Sequence, residues 1–432
     1  MSYSAMDSLS IRPEGNQYKS INEIYSTTNT SKGSLDTNPS FDITVSPGAR
    51  SYLDLSSAML EITFKTAQVT GAPFSDAGKE SFCANILGLF SQIEMYYNGQ
   101  VVQSLLQPMY QYATNAIMER SLEYNEQNSA LDNLVLPIGS NATYNSRAVA
   151  VGDWVNITSK AKTNVALLQS GSTEVTVSIR LKDLFTCLDS GFMFYSSDIL
   201  FRFNKIASGW SKIMTRKDLT DTPVEPGRVV LLDCCIRAQS LEVSDALIGD
   251  VVQAINSGPQ IMPFIDVTSV YQADQSLDSN LHITARSRLR TVFAYPIDSD
   301  VFNSENKLPM TCTQSGLSYA RLRVGGQTYP NIDFRLTNST QQNYLYKAYQ
   351  FASASGKYSD VLSPLLSKVD FLRSMGPLVF EIQDSDSRTQ NNVELDYAYT
   401  AGFPSGSITW LLVLYNERDA IVDQKNRVIT FA

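Results

Sequence analysis

The sequence predicts an all-β protein made of two tandem eight-stranded antiparallel jelly rolls with short helical insertions. Three observations carry that prediction. One unit, a β-hairpin followed by a helix, occurs twice about half a chain apart. Short strand-like runs separated by turn signals fill most of the remainder, with no alternation of strands and long helices. The composition also favours strands, with 22 Tyr and 19 Phe in 432 residues.

The first copy of the unit runs Ile93 to Gln103 and continues into Met109-Tyr110-Gln111-Tyr112-Ala113; the second runs Ala320 to Tyr329 and continues into Tyr344 to Tyr349. Asn98-Gly99 and Gly325-Gly326 supply the positive-φ residues that a two-residue primed turn requires. After the first hairpin, Met109, Tyr112, Ala113, Ala116 and Ile117 share one helical face; after the second, Leu345, Ala348, Tyr349 and Ala352 keep that spacing.

In chain order, residues 1–38 are rich in Ser, Thr and Asn and read as an arm ordered on a partner or not at all. Its charges balance (Arg12, Lys19 and Lys32 against Asp7, Glu14 and Glu23), so it is no basic arm for neutralising nucleic acid. Phe41 to Val45 ends at the turn cluster Ser46-Pro47-Gly48. Leu60 to Lys65 and Glu174 to Leu181 alternate apolar and polar residues, as strands buried on one face do. Ile199 to Phe203 closes the first half. A loop with Pro223, Pro226 and Gly227 marks the boundary, and Val229 to Ile236 opens the second half.

Within that half, His282 to Arg290 alternates strictly, placing His282, Arg286, Arg288 and Arg290 on one face. Ser339 and Gln342 form a capping box for the second repeat helix. A further helix starts at Ser363-Pro364 and ends before Gly376. The halves end alike, Val177 to Phe203 matching Leu378 to Leu414. The expected domains are an arm at 1–38, a first roll at 39–218 and a second at 219–432.

Composition excludes several functions. The net charge of −9 speaks against a surface that binds nucleic acid broadly. Five cysteines (Cys83, Cys187, Cys234, Cys235, Cys312) form no CxxC pair, so a disulfide framework is not expected and a reducing compartment fits. Residues 1–20 contain no apolar core of a secretion signal, and the run Ile408 to Tyr415 is too short to span a bilayer.

No catalytic, cofactor or metal site is expected. His282 is the single histidine and stands on an arginine-rich face with no nucleophile elbow nearby. Cys234 and Cys235, adjacent in a strand, point to opposite faces and cannot both join a zinc site. Asp298-Ser299-Asp300 and Asp384-Ser385-Asp386 lack EF-hand spacing and read as solvated turns. Gly325-Gly326 lacks the Lys-Ser/Thr of a phosphate loop. Arg286, Arg288 and Arg290, extended by Arg321 and Arg323, form the one basic concentration, read as a strand face at an interface or in solvent rather than a DNA site. The sequons at Asn29, Asn141, Asn156 and Asn338 are chance matches in a chain without a secretion signal.

Three stretches resemble the double jelly-roll major capsid proteins of tailless double-stranded DNA viruses, the lineage of adenovirus hexon, virophage and Polinton-type capsid proteins. They are Leu89 to Gln100 with its tyrosine-bearing helix, Ile179 to Leu188 running on to Asp198 to Phe203, and Trp410 to Tyr415 with Asn426 to Ile429. The resemblance implies a non-enzymatic structural subunit of the virion, assembled inside the host cell and not secreted. It further implies homotrimers of six-fold-like outline that contact neighbouring capsomers and minor or penton proteins and tile an icosahedral shell, with weak or no direct contact to nucleic acid. It leaves contact with an internal membrane open. Many family members carry long loop towers, for which this chain has no room. Jelly rolls also serve carbohydrate- and receptor-binding proteins, the competing class.

Overall fold

The computed structural model describes residues 18–28, 35–68, 70, 72, 80–83, 85–120, 132, 168–169, 174–206, 214–216, 227–285, 288–299, 317–334, 345–350, 365–366, 368, 371, 376–382, 392–399 and 407–431. Sixteen strands build two rolls. The first holds β1 Tyr18–Thr27, β2 Ser40–Val45, β3 Ser51–Gln68, β4 Phe90–Tyr97, β5 Gln100–Leu106, β6 Val175–Arg180, β7 Ile199–Lys205 and β8 Gly227–Val243. The second holds β9 Gln260–Gln275, β10 Asp278–Thr284, β11 Leu289–Asp298, β12 Leu317–Val324, β13 Gln327–Phe334, β14 Leu378–Glu381, β15 Asn392–Tyr399 and β16 Ile408–Asp423.

The sheets of the first roll run β1-β8-β3-β6 and β2-β7-β4-β5; those of the second run β9-β16-β11-β14 and β10-β15-β12-β13. Counted from the first strand of each roll, both therefore read 1-8-3-6 and 2-7-4-5. That order is a jelly roll, two Greek keys closed over one core. Phe194–Tyr195 adds to β3 and the terminal strand Val428–Phe431 to β16, while Met214–Arg216, Glu80–Cys83 and Leu168–Gln169 form a small separate sheet.

Alternation places the cores. Phe41, Ile43 and Val45 of β2 face inward, and the Phe41 ring stacks on Phe203 at 4.9 Å. In the second roll Trp410 packs on Tyr397 with ring centroids 4.8 Å apart. Ile408 to Leu414 of β16 are buried without interruption. This strand is central in its sheet, and the first roll's helix α1 (Pro108–Glu119) packs on it as well, so both of its faces are apolar.

The fold class and the doubling stand, and several segments fall differently from their sequence reading. Tyr18–Thr27, read as part of an arm, is a ten-residue strand paired with β8 along its length. Val229 to Ile236, read as opening the second half, lies in β8 and pairs with β3 of the first roll. The cause is a strand count one short. Matching the end of Val177 to Phe203 with the end of Leu378 to Leu414 equates β7 with β16, yet β7 is seventh in its roll and β16 eighth, so the counterpart of β16 is β8.

His282 to Arg290 is likewise not one strand. β10 ends at Thr284, Arg288 takes φ 60°, and β11 starts at Leu289 in the other sheet, so His282 and Arg290 lie in different layers. Helix α2 (Ile248–Asn256), which carries the chain between the rolls, had no sequence reading. Residues 1–17, the Ser339/Gln342 capping box, Ser363-Pro364, Pro223 and Pro226 lie outside the described residues.

Candidate functional site

The chemistry of this chain is concentrated where the rolls meet, and α1 is the centre of that seam. Pro108 at its first position needs no amide partner, and Ala113 and Ala116 favour the helix. Its neighbours cover it on all sides: every residue from Pro108 to Met118 is buried, including Gln111, Thr114 and Asn115. The sequence predicted one apolar face, and the structure buries the polar one too.

Those polar side chains bond across the seam. Gln111 Nε2 donates to the Val267 carbonyl of β9 at 3.1 Å. Thr114 Oγ1 donates to the Tyr110 carbonyl at 2.8 Å, which leaves the Tyr295 hydroxyl of β11 to donate to Thr114 at 2.9 Å. Asn115 Nδ2 donates to the Asp183 carbonyl at 3.2 Å while its Oδ1 accepts from Tyr415 of β16. At the end of α1, the Tyr349 hydroxyl donates to the Ile117 carbonyl at 3.2 Å and accepts from the Leu366 amide at 3.1 Å. Burial holds the Tyr110, Tyr112 and Tyr415 hydroxyls far above the ordinary tyrosine range, so all three stay neutral, and those of Tyr112 and Tyr415 donate hydrogen bonds.

The hairpin of the first roll completes the seam. Asn98 (φ 46°) and Gly99 (φ 80°) make the primed turn that the sequence predicted. Asn98 Nδ2 donates to the Arg427 carbonyl at 2.9 Å, Gln100 Oε1 accepts from the Ile429 amide at 2.7 Å, and Gln424 Oε1 accepts from the Tyr195 amide at 2.9 Å. The C-terminal turn of the second roll thus clasps the hairpin tip of the first. Arg418 braces that turn, pairing with buried Asp266 at 3.1 Å and lying 3.6 Å from the Phe431 ring centroid.

A buried ionic knot closes the C-terminal end of α1. Arg120 pairs with Asp132 at 2.7 Å and donates to the Tyr112 hydroxyl at 2.8 Å, which itself donates to Asp132 at 2.8 Å. Burial alone would lower the Arg120 pKa; Tyr112 and Asp132 outweigh it and raise it, so the guanidinium stays charged.

The residues singled out in the sequence do not converge. His282 is 73% exposed and lies 3.7 Å from Glu394. Cys234 lies in the core, whereas the Cys235 thiol faces Glu61 on the opposite side of β8. Burial raises both thiols, Cys235 to about 11. Three arginines of the basic concentration are paired: Arg321 with Asp396 at 2.8 Å, Arg323 with Asp396 at 3.2 Å and Glu394 at 3.7 Å, and Arg288 with Asp419 at 2.8 Å, while Arg290 is exposed on β11.

Gly325 (φ 57°) and Gly326 (φ 85°) make a strand-to-strand turn. Among the described residues no group of three His, Cys, Asp or Glu could hold a metal ion, and no helix is long and apolar enough to cross a membrane. Asp300, Asp384 to Asp386, Arg286, Cys312 and the sequon residues Asn29, Asn141, Asn156 and Asn338 lie outside the described residues.

No family model matches the sequence, and no curated protein matches it. Solved structures do match. A chain of the Sputnik virophage superposes with TM-score 0.62 at 10% identity, covering 96% of this chain and 89% of that one. The mavirus major capsid protein superposes with TM-score 0.51 at 9% identity, over 100% and 94% of the two chains. The Faustovirus major capsid protein gives TM-score 0.51 at 8% identity, over 97% and 94%. The fold is that of viral major capsid proteins. The double jelly roll is shared over nearly the whole of both chains, although about nine residues in ten differ. What agrees is the fold, which many sequences can satisfy.

The seam residues Gln111, Thr114, Asn115, Tyr295 and Tyr415 escaped the sequence reading. A signal for them existed, since Gln111, Thr114 and Asn115 place polar groups in a helix whose neighbours are almost all apolar.

Proposed function

We propose that this protein is a viral major capsid protein, a structural subunit that associates with copies of itself into trimeric capsomers of six-fold-like outline tiling an icosahedral shell. The observation that carries the reading is two jelly rolls of identical strand order locked side by side by a buried seam. A rigid pair of upright wedges suits a wall that must tile without flexing. Strand pairing supports a first roll from Tyr18 to Val243 and a second from Gln260 to Phe431, with α2 between them. On this reading the protein resides in the virion, is assembled inside the host cell, catalyses no reaction, and meets neighbouring capsomers and minor or penton proteins.

The test is the molar mass of the purified full chain by light scattering, with negative-stain imaging of the same fractions. A species near three times the 47.9 kDa protomer with a hexagonal outline is expected. A monomer at every concentration, in the absence and presence of co-expressed virion proteins, refutes the capsomer reading.

A further inference from the structure

Helix α2 (Ile248–Asn256) is amphipathic and stands outside the core. Ile248, Val251, Val252 and Ile255 recur at i, i+3, i+4 and i+7 and make one apolar stripe, while Gly249, Asp250, Gln253 and Asn256 are exposed around it. Of the stripe only Val251 is buried; Ile248 and Ile255 are half-buried and Val252 is 43% exposed. No residue of α2 belongs to the hydrophobic core that runs through both rolls. Nine residues with no side-chain cap at Leu247 are too few to hold a helix in water by themselves, so α2 depends on packing of that stripe.

The surroundings define the chemistry of the partner. From Ser244 to Pro259 the only charged residues are Asp245 and Asp250, both exposed acids. Such a surface attracts neither an anionic lipid layer nor nucleic acid. It suits an apolar stretch of polypeptide, and the chain brings one to this corner. β1 begins at Tyr18, which pairs with Val243, and α2 begins five residues beyond Val243. Residues 1–17 therefore join the fold no more than about 17 Å of extended chain from the helix. They could span roughly 56 Å when extended, against about 14 Å for α2, so they reach the whole stripe with slack.

The composition of residues 1–17 matches the stripe. Tyr3, Met6 and Leu9 follow one another at three-residue intervals, Ile11 comes next, and the charged side chains are Asp7, Arg12 and Glu14 alone. A segment tethered this close meets the helix at a millimolar effective concentration, ahead of any copy free in solution. We propose that α2 is the docking site of this chain's own residues 1–17, with Tyr3, Met6 and Leu9 laid against the apolar stripe of the same protomer. The docked segment straps the start of β1, an edge strand paired only with β8, to the connection between the rolls. The proposal does not depend on the capsomer reading.

The test uses the full chain carrying Leu9→Cys together with Val252→Cys, and Leu9→Cys together with Gln253→Cys as a control on the polar face of α2. After mild oxidation, non-reducing electrophoresis and peptide mapping are expected to find position 9 linked to position 252 within one 47.9 kDa protomer. Linking to position 253 should be weaker by about tenfold, because a disulfide forms only over a short and directed Cβ separation. Links between protomers would overturn docking within one chain in favour of a segment exchanged between copies. Equal linking to both positions, or none to either, would overturn the docking itself. Hydrogen exchange gives a readout without added cysteines: with Met6→Asp and Leu9→Asp combined, amides of residues 251–256 should exchange about tenfold faster than in wild type while those of β3 keep their rates. Unchanged rates in α2 refute the strap. Co-sedimentation of wild type with anionic vesicles that is lost in Val252→Asp would assign the stripe to a membrane and overturn the proposal.

Discussion

Replacing Arg120 by Met gives the sharpest test of how the seam helix is held. Arg120 and Asp132 are 5% and 4% exposed and 2.7 Å apart, with the Tyr112 hydroxyl bonded to both. Methionine fills much of the arginine stem but leaves Asp132 as a buried carboxylate without its cation. Breaking one side of a buried pair costs about 3–5 kcal/mol. For domains the size of one roll, each kcal/mol lowers the melting temperature by roughly 2–4 °C, so a fall of about 6–20 °C is expected. The assay is calorimetry or denaturant unfolding of Arg120→Met, Asp132→Leu and the double variant. The double variant should recover most of the loss, because a buried pair replaced by apolar groups is often close to neutral. A single variant costing under about 1 kcal/mol, the level of an exposed pair, would refute the buried-knot argument. A double variant as costly as the two singles combined would refute it too.

Tyr349→Phe removes the hydroxyl that accepts from the Leu366 amide; the orphaned buried amide costs about 1–3 kcal/mol, measurable by urea unfolding, and an unchanged midpoint would place water at that amide. Burial pushes the Tyr52 and Tyr397 hydroxyls up to about 12 from the ordinary 10. Between those values the unfolded chain ionises while the folded chain keeps its protons, so stability is full below pH 10 and falls as pH rises toward 12. Tyrosinate absorbance followed alongside unfolding checks this, and ionisation of both residues near their ordinary value in the intact fold contradicts it. Cys187 and Cys234 are fully buried with thiols raised by desolvation, so peptide mapping after alkylation should find them unmodified in the native protein and modified after denaturation. Labelling of either one in the native state would show that the cores open.

Much of this molecule was legible locally. Asn98-Gly99 and Gly325-Gly326 declared their turns because few residues accept positive φ, and Phe41 to Val45 declared a half-buried strand by its alternation. The opposite orientations of Cys234 and Cys235 followed from strand geometry alone. Such signals arise from backbone sterics and side-chain period, which act within a few residues of one another.

Strand partnership is a different matter. Nothing in Val229 to Ile236 states that it pairs with β3, more than 160 residues earlier. Nor does Tyr18–Thr27, whose exposed side mixes apolar Ile21 and Tyr25 with charged Lys19 and Glu23, reveal itself as a strand. The arginines of β12 looked like a basic face because the carboxylates that neutralise them, Glu394 and Asp396, come from a neighbouring strand some 70 residues on. The seam is the extreme case. Gln111, Thr114 and Asn115 acquire meaning only when a second roll brings the Val267 carbonyl and the Tyr295 and Tyr415 hydroxyls to within about 3 Å of them. The sequence by itself determined two all-β halves with matching hairpins and no visible catalytic constellation. Tertiary structure alone decided which strands belong to which roll and how the rolls are locked together, because hydrogen bonds between distant segments obey geometry that local pattern does not encode.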